Sequence, residues 1–155
     1  MVDVPDDQEK TQISYAKLIS KENYMETAVI PGSVKGRLKK DGDFYLWIYI
    51  PGEDILKLSI YPIKSNEIQK ILIHLEEFSP DLIKGISDIL QKLDLGDHTI
   101  HTTGLCFSGE NCYYETYIDV SEFEEKITTE KVMNEFDKIG KIKDVSVIDI
   151  PIEEI

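Results

Sequence analysis

The sequence predicts a mixed α+β protein whose C-terminal half folds as one βαββαβ unit on an antiparallel sheet. Two observations support this prediction. From residue 71 onward, short apolar strand patterns and amphipathic helix patterns follow in the order strand, helix, strand, strand, helix, strand. Before residue 65, runs of aromatic and β-branched residues alternate with turn residues, which is typical of a β-meander.

The length and charge of the chain limit its partners. It has 155 residues, enough for one domain or two very small ones, and its formal net charge is -13. An acidic surface repels nucleic acid and anionic membranes, so neither is predicted as a partner. The opening MVDVPDDQEK lacks the apolar core of a signal peptide, and the two cysteines are too few for a disulfide framework. We therefore expect a cytoplasmic protein in a reducing compartment.

The N-terminal half divides into an arm and a β-rich region. Residues 1–11 are polar and acidic, so a disordered arm is predicted. Residues 12–65 form the β-rich region, and residues 11–21 at its start fit either a helix or a strand. A meander of three or four strands is predicted, over residues 24–30, 44–50 and 55–63 and a shorter segment at residues 34–38. Turns at Pro31-Gly32, Asp41-Gly42 and Pro51-Gly52 separate these strands.

Residues 66–155 form the second predicted domain, whose first strand covers residues 71–76. A helix follows, because Ser79 suits the N-cap, Pro80 suits the first helical position, and Asp81 complements the helix dipole. Its apolar stripe consists of Leu82, Ile83, Ile86, Ile89, Leu90 and Leu93. Gly96 follows the last apolar position and is the predicted C-cap.

A hairpin and a second helix complete the unit. The hairpin arms are residues 98–107 and 112–120, with a turn over residues 108–111. The helix is predicted over residues 128–139, capped by Thr128 or Thr129 and ended by Gly140. The last strand covers residues 142–150, and the acidic residues 151–155 are predicted to be loose. Right-handed crossovers then place both helices on one face of a four-stranded antiparallel sheet, which is the ferredoxin-like plan.

From about residue 70 to residue 150, the chain resembles an ACT domain, a small regulatory module of amino-acid metabolism. The resemblance rests on the segments ILIHLEEFSPD, LIKGISDILQKL, LGDHTI, the hairpin to Val120, TTEKVMNEFDKIG and KDVSVIDI. It implies a homodimer that binds an amino acid or a similar small metabolite between its subunits. The implied ligand-binding residues are Ser79, Pro80, Asp81 and Leu82 in the first loop, with Gly96, Asp97 and His98 at the second strand. Many members have glycine at the position of Asp81, whose side chain can block the ligand or recruit a cationic amine.

Other residue patterns predict neither a metal nor a cofactor. His98 and His101 have an odd spacing, which places them on opposite faces of a strand, and His74 lies on a strand that is not their neighbour. The glycines form no phosphate-binding loop. Cys106 and Cys112 flank the hairpin turn and can lie opposite each other, and they are interpreted as two small buried residues.

One sheet face requires a cover. If Ile71, Ile73 and Leu75 face the helices, the opposite face carries a large apolar patch. The patch consists of Leu105, Phe107, Tyr113 and Tyr117. The N-terminal meander, through Tyr45, Trp47 and Tyr49, is the first candidate to cover it. A second subunit and an apolar ligand are the alternatives.

Three functions follow from these patterns. The leading hypothesis is a non-catalytic regulatory protein, a small-molecule sensor that binds its metabolite as a homodimer. Backbone N–H groups at the first helix would bind an anion, and Asp81 or Asp97 would hold an amine. The second is a protein–protein interaction module without a ligand. The third is an enzyme with a cleft between the meander and the C-terminal unit, for which no residue pattern indicates a reaction.

Overall fold

The computed structural model describes residues 12–108 and 111–153 of the chain. Seven strands and four α-helices lie within these ranges. In chain order they are β1 (Tyr15–Ser20), α1 (Lys21–Glu26), α2 (Gly32–Lys35), β2 (Phe44–Pro51), β3 (Leu56–Ile63), β4 (Ile68–Leu75), α3 (Pro80–Lys92), β5 (Thr99–Ser108), β6 (Asn111–Asp119), α4 (Thr129–Phe136) and β7 (Ile142–Asp149). A single 3-10 turn, Gly96–His98, lies between α3 and β5.

The strands form two antiparallel sheets, ordered β1-β2-β3 and β5-β6-β4-β7. Helices α3 and α4 pack on the same face of the four-stranded sheet, where their apolar stripes bury against the central strand β4. The buried residues of this layer include Ile71, Ile73, Leu75, Leu82, Ile86, Leu90, Val132 and Phe136. The predicted α+β class with a four-stranded antiparallel sheet is therefore confirmed.

The opposite face of the four-stranded sheet packs on the three-stranded sheet. Leu18, Leu46 and Ile48 of the small sheet meet Ile68 and Tyr117 of the large one in one buried cluster. The predicted contact residues were wrong, because Tyr45 and Trp47 point to the outer face of the small sheet, where they pack on Tyr24. Alternate residues of a strand face opposite sides of the sheet. In the observed register, the aliphatic residues Leu46 and Ile48 of β2 face the larger sheet, and the aromatic residues face away from it.

The predicted meander of three or four strands was wrong in its first part. Residues 21–26 and 32–35 form the helices α1 and α2, where strands had been expected over residues 24–30 and 34–38. The Ser20 hydroxyl accepts a hydrogen bond from the Asn23 N–H, which starts α1 directly after β1. The ring of Tyr24 then stacks on Tyr45 at 3.7 Å, so this segment covers the sheet instead of extending it. Residues 11–21, whose sequence fits either a helix or a strand, contain strand β1, and this strand pairs with β2.

Gly96 does not end helix α3 as predicted. The helix ends at Lys92, and Asp94 adopts the left-handed conformation with φ of 60°. The Leu95 N–H donates to the Leu90 carbonyl at 2.8 Å, and the Asp94 N–H donates to the Gln91 carbonyl at 3.0 Å. These two bonds form a Schellman motif, in which aspartate takes the position that glycine usually occupies.

Residues 151–153 are held in place, contrary to the prediction of a loose tail, and residues 154 and 155 of that tail lie outside the described residues. The Leu18 N–H donates to the Pro151 carbonyl, and the Glu153 N–H donates to the Leu18 carbonyl at 2.8 Å. Lys17 also lies 3.1 Å from the Glu153 carboxylate.

The predicted arm of residues 1–11 and the middle of the predicted turn at residues 109–110 lie outside the described residues. In the described part of the chain, every helix is too short or too polar to cross a membrane.

Candidate functional site

The first predicted ligand loop lies at the start of helix α3. The Ser79 hydroxyl accepts a hydrogen bond from the Leu82 N–H at 3.2 Å, which confirms the predicted N-cap. Pro80 has no N–H, and the Leu82 side chain is buried in the helix-facing core. Asp81 is exposed. The capacity of this helix start to bind an anion therefore rests on the Asp81 N–H.

The second predicted group lies in the 3-10 turn that precedes β5. Asp97 is exposed, whereas Gly96 and His98 are half-buried. The His98 ring packs edge-on against Phe123 at 5.0 Å, and its Nδ1 lies 3.8 Å from the Glu122 carboxylate. These contacts tie the turn to the connection between β6 and α4.

One chain does not bring the two predicted groups together. They lie at opposite ends of α3, which has 13 residues and is therefore about 20 Å long. A single small molecule cannot contact both ends. A shared site requires a second copy of the chain to supply one of the two groups.

Among the described residues, most of the buried polar side chains lie elsewhere, between the two sheets. The Lys70 ammonium lies 3.1 Å from the Glu115 carboxylate, and the two side chains are only 2% and 0% exposed. Lys70 also donates to the Ser14 carbonyl and to the Gln12 side chain, each at 2.7 Å. Glu115 accepts hydrogen bonds from the backbone N–H groups of Ile13 and Ser14 and from the Ser14 hydroxyl.

Burial changes the ionisation of this cluster. It lowers the pKa of Lys70, and the attraction of the Glu115 charge offsets only part of that effect. Burial also raises the pKa of Tyr117, whose hydroxyl lies 2.8 Å from that of Ser14. All of these groups already have partners within the chain and little contact with water. The arrangement therefore fixes the segment that enters β1 against the larger sheet.

Sequence reasoning missed this cluster, although a signal for it was present. Lys70 lies at an inward position of the apolar strand β4, on the same face as Leu72. Glu115 lies on the same face of β6, opposite Leu72 and between Tyr113 and Tyr117, and is therefore diagonal to Lys70. Two opposite charges on the same buried face of neighbouring strands predict a buried ion pair.

A second polar group links the two sheets near the edge of the sandwich. The Tyr61 hydroxyl lies 2.7 Å from Nδ1 of His101, and Nε2 of His101 lies 2.7 Å from the Thr103 hydroxyl. Burial lowers the pKa of His101, and the negative charge of Glu115 opposes this shift. Both ring nitrogens are thus occupied by neutral hydroxyl groups, which favours the neutral imidazole.

The two cysteines form a disulfide, and the interpretation as two separate buried residues was wrong. Cys106 and Cys112 lie directly opposite each other on β5 and β6, with their Cα atoms 4.0 Å apart. Cys112 is buried beneath the helices, whereas Cys106 is exposed at the edge strand. The disulfide fastens the hairpin close to the loop that carries Phe78.

The three histidines lie in separate surroundings. His74 stacks on Tyr113 at 4.4 Å, whereas His98 contacts Phe123 and His101 contacts Tyr61. Across residues 12–108 and 111–153, no three His, Cys, Asp or Glu side chains lie close enough to hold a metal ion.

The comparisons with known proteins give no family for this chain. No protein-family model matches the sequence, and no curated protein is significantly similar to it.

Proposed function

We propose that this chain is a non-catalytic regulatory protein that binds a small metabolite, such as an amino acid, between two copies of itself. The observation that supports this proposal is the strand order β5-β6-β4-β7 with α3 and α4 on one face. The ferredoxin-like plan of the ACT domains is also a βαββαβ chain, which is why this arrangement supports the proposal. Its two candidate ligand groups lie at the two ends of α3.

Strand β5 is the edge through which two copies would join. It is one of the two outer strands of the larger sheet, and it exposes 44% of Leu105 and 53% of Phe107. A second copy would pair its own β5 antiparallel to this edge around a two-fold axis. Such pairing satisfies the backbone groups of both edges and covers the apolar side chains.

The same two-fold arrangement would complete the ligand site. The Phe78 ring lies against Gly104 of β5, so close that a Cβ atom on residue 104 would be 2.3 Å from the ring. The loop before α3 therefore lies over the second half of β5, and the Gly96–His98 turn lies at its start. Antiparallel pairing centred on Thr102 would place Asp81 of one copy near Asp97 of the other.

The chemistry of this shared site suits a molecule with a carboxylate and an amine. The Asp81 N–H and the positive end of the α3 dipole attract a carboxylate. The exposed carboxylates of Asp81 and Asp97 attract an amine. Ligand binding across the interface would favour the paired state, which supplies a regulatory output.

A thermal-shift screen of the twenty amino acids and common metabolites tests this proposal. A ligand that binds only the folded protein raises the unfolding midpoint. We expect at least one hit, which Asp81→Arg abolishes. Glu130→Arg is the matched control, because Glu130 is the acidic residue in the first turn of α4. If every hit survives Asp81→Arg and the protein is monomeric in sedimentation, the proposal is contradicted.

An interaction module without a ligand is the second candidate. It is favoured by apolar side chains at one end of the small sheet, where Ile55 and Leu56 are 61% and 63% exposed and Tyr15 is 50% exposed. A stable dimer that shows no shift with any compound of the screen would favour this function instead.

A further inference from the structure

A polar cavity opens at the end of the four-stranded sheet where β4 begins and β7 ends. Its volume is about 260 Å³. The lining residues are Asn66, Glu67, Ile68, Gln69, Val120, Lys126, Asp149 and Ile150. Drug-sized ligands usually occupy cavities of roughly 300–1,000 Å³, so this one suits a smaller molecule.

A buried glutamine holds the charged walls of the cavity in place. Gln69 is 3% exposed, and its amide nitrogen donates to the Asp149 carboxylate at 2.8 Å and to the Ile127 carbonyl at 3.1 Å. Its amide oxygen accepts a hydrogen bond from the Ile127 N–H at 3.1 Å. Both ends of the Gln69 amide are therefore used to position Asp149 and the residue next to Lys126. The site is built into the fold.

The two charges across the cavity are close but loosely paired. Nζ of Lys126 lies 3.7 Å from Oδ2 of Asp149, which is beyond ordinary hydrogen-bond distance, and both side chains are more than half exposed. A ligand can therefore replace this weak contact with its own contacts to each charge at little cost. Glu67 adds a second carboxylate to the lining, and Asn66 adds an amide.

We infer that this cavity binds a basic amino acid, with the ligand carboxylate on Lys126 and its two cationic groups on Asp149 and Glu67. Two carboxylates and one ammonium in the lining are the complement of one carboxylate and two cations in the ligand. The net charge of -13 attracts a cationic ligand over longer distances. This inference rests on the proposed metabolite-binding function and adds a site that lies within a single chain.

Titration calorimetry with L-arginine and L-lysine on the full chain tests the inference. We expect binding by both, and at least tenfold weaker binding of agmatine, which lacks the carboxylate. Lys126→Glu should weaken L-arginine binding at least tenfold, whereas Lys126→Arg retains it. Lys57→Glu is the matched control, because Lys57 is an exposed lysine at the start of β3, whereas the other end of that strand leads to the cavity.

The failure of this site can be distinguished from the failure of the proposed function. Asp81→Arg should leave L-arginine binding in the cavity unchanged. If L-arginine binds and Asp81→Arg abolishes binding while Lys126→Glu does not, the cavity inference is wrong and the intersubunit site remains. Absence of binding by both L-arginine and L-lysine to the unmodified chain also overturns the inference.

Discussion

The ammonium of Lys70 lies 3.1 Å from the carboxylate of Glu115 in the interior between the two sheets, and both side chains are almost fully buried. The pair joins adjacent strands β4 and β6, and it also binds the backbone of residues 13 and 14. A buried charge without its partner is costly, since neither water nor another ion can replace the lost contact. The pair therefore makes docking of the N-terminal sheet depend on one particular register.

Replacement of either partner should destabilise the fold strongly. We expect Lys70→Met to lower the free energy of unfolding by about 3–5 kcal/mol, because it leaves the Glu115 carboxylate buried without a cation. Urea denaturation measures this loss. Lys84→Met is the matched control, because Lys84 forms an exposed pair with Asp88 and should change stability little.

The double variant Lys70→Met with Glu115→Gln distinguishes the cost of an unpaired buried charge from the cost of lost side-chain packing. Removal of both charges should cost less than the sum of the two single changes, since no unpaired charge remains. Strict additivity would contradict a coupled pair at this position.

His101 should make stability depend on pH in the mildly acidic range. The folded protein holds the pKa of His101 below its ordinary value of about 6.5, so the unfolded chain binds the proton more readily. The stabilising contribution is fully present above about pH 6.5 and is lost as the pH falls below that value. Urea unfolding between about pH 5.5 and 7.5 measures the slope. His101→Gln should reduce it, and an unchanged slope would show that other groups cause the effect.

Phe78 and Gly104 should be energetically coupled. A Cβ atom at residue 104 would lie 2.3 Å from the Phe78 ring, so Gly104→Ala must displace the ring from the strand. Because Phe78 is 39% exposed, it can swing outward, and we expect a loss of about 1 kcal/mol with the fold retained. In a background of Phe78→Ala, the same glycine substitution should cost measurably less. Equal costs in both backgrounds would place the ring away from β5.

The disulfide between Cys106 and Cys112 should contribute modestly to stability. The cysteines are 6 residues apart, and closure of so short a loop is worth about 2 kcal/mol in the chain-entropy account. Dithiothreitol should lower the free energy of unfolding by this amount. The double variant Cys106→Ser with Cys112→Ser should be insensitive to the reductant. Quantitative alkylation of both thiols in unreduced, denatured protein would contradict the disulfide.

The elements with strong local signals could be predicted from the sequence. Ser79, Pro80 and Asp81 identify the start of α3 because each residue type suits its position at a helix N-terminus. The apolar run ILIHL in β4 likewise identifies a strand that is buried on both faces. Such signals depend on residues that are close together in the chain, so they can be recognised without knowledge of tertiary contacts.

The remaining features depend on distant contacts. Residues 24–30 have the composition of a strand, yet the stacking of Tyr24 on Tyr45 and the Ser20 cap favour a helix followed by a loop. The docking of residues 12–14 requires Lys70 and Glu115, which lie far away in sequence. The residues of the candidate ligand site, around Asp81 and Asp97, could be predicted from the sequence, but the distance between them could not. That distance is set by the length of α3, which separates the two groups.

Complementation between two inactive variants tests most directly whether the site is shared by two copies. Asp81→Arg and Asp97→Arg would each damage both sites of their own homodimer. A mixed dimer of the two variants carries one site with both aspartates intact, so we predict that it recovers about half of the binding capacity for the amino acid giving the largest thermal shift. If the mixed dimer binds no better than either variant alone, the ligand site is not built from two chains.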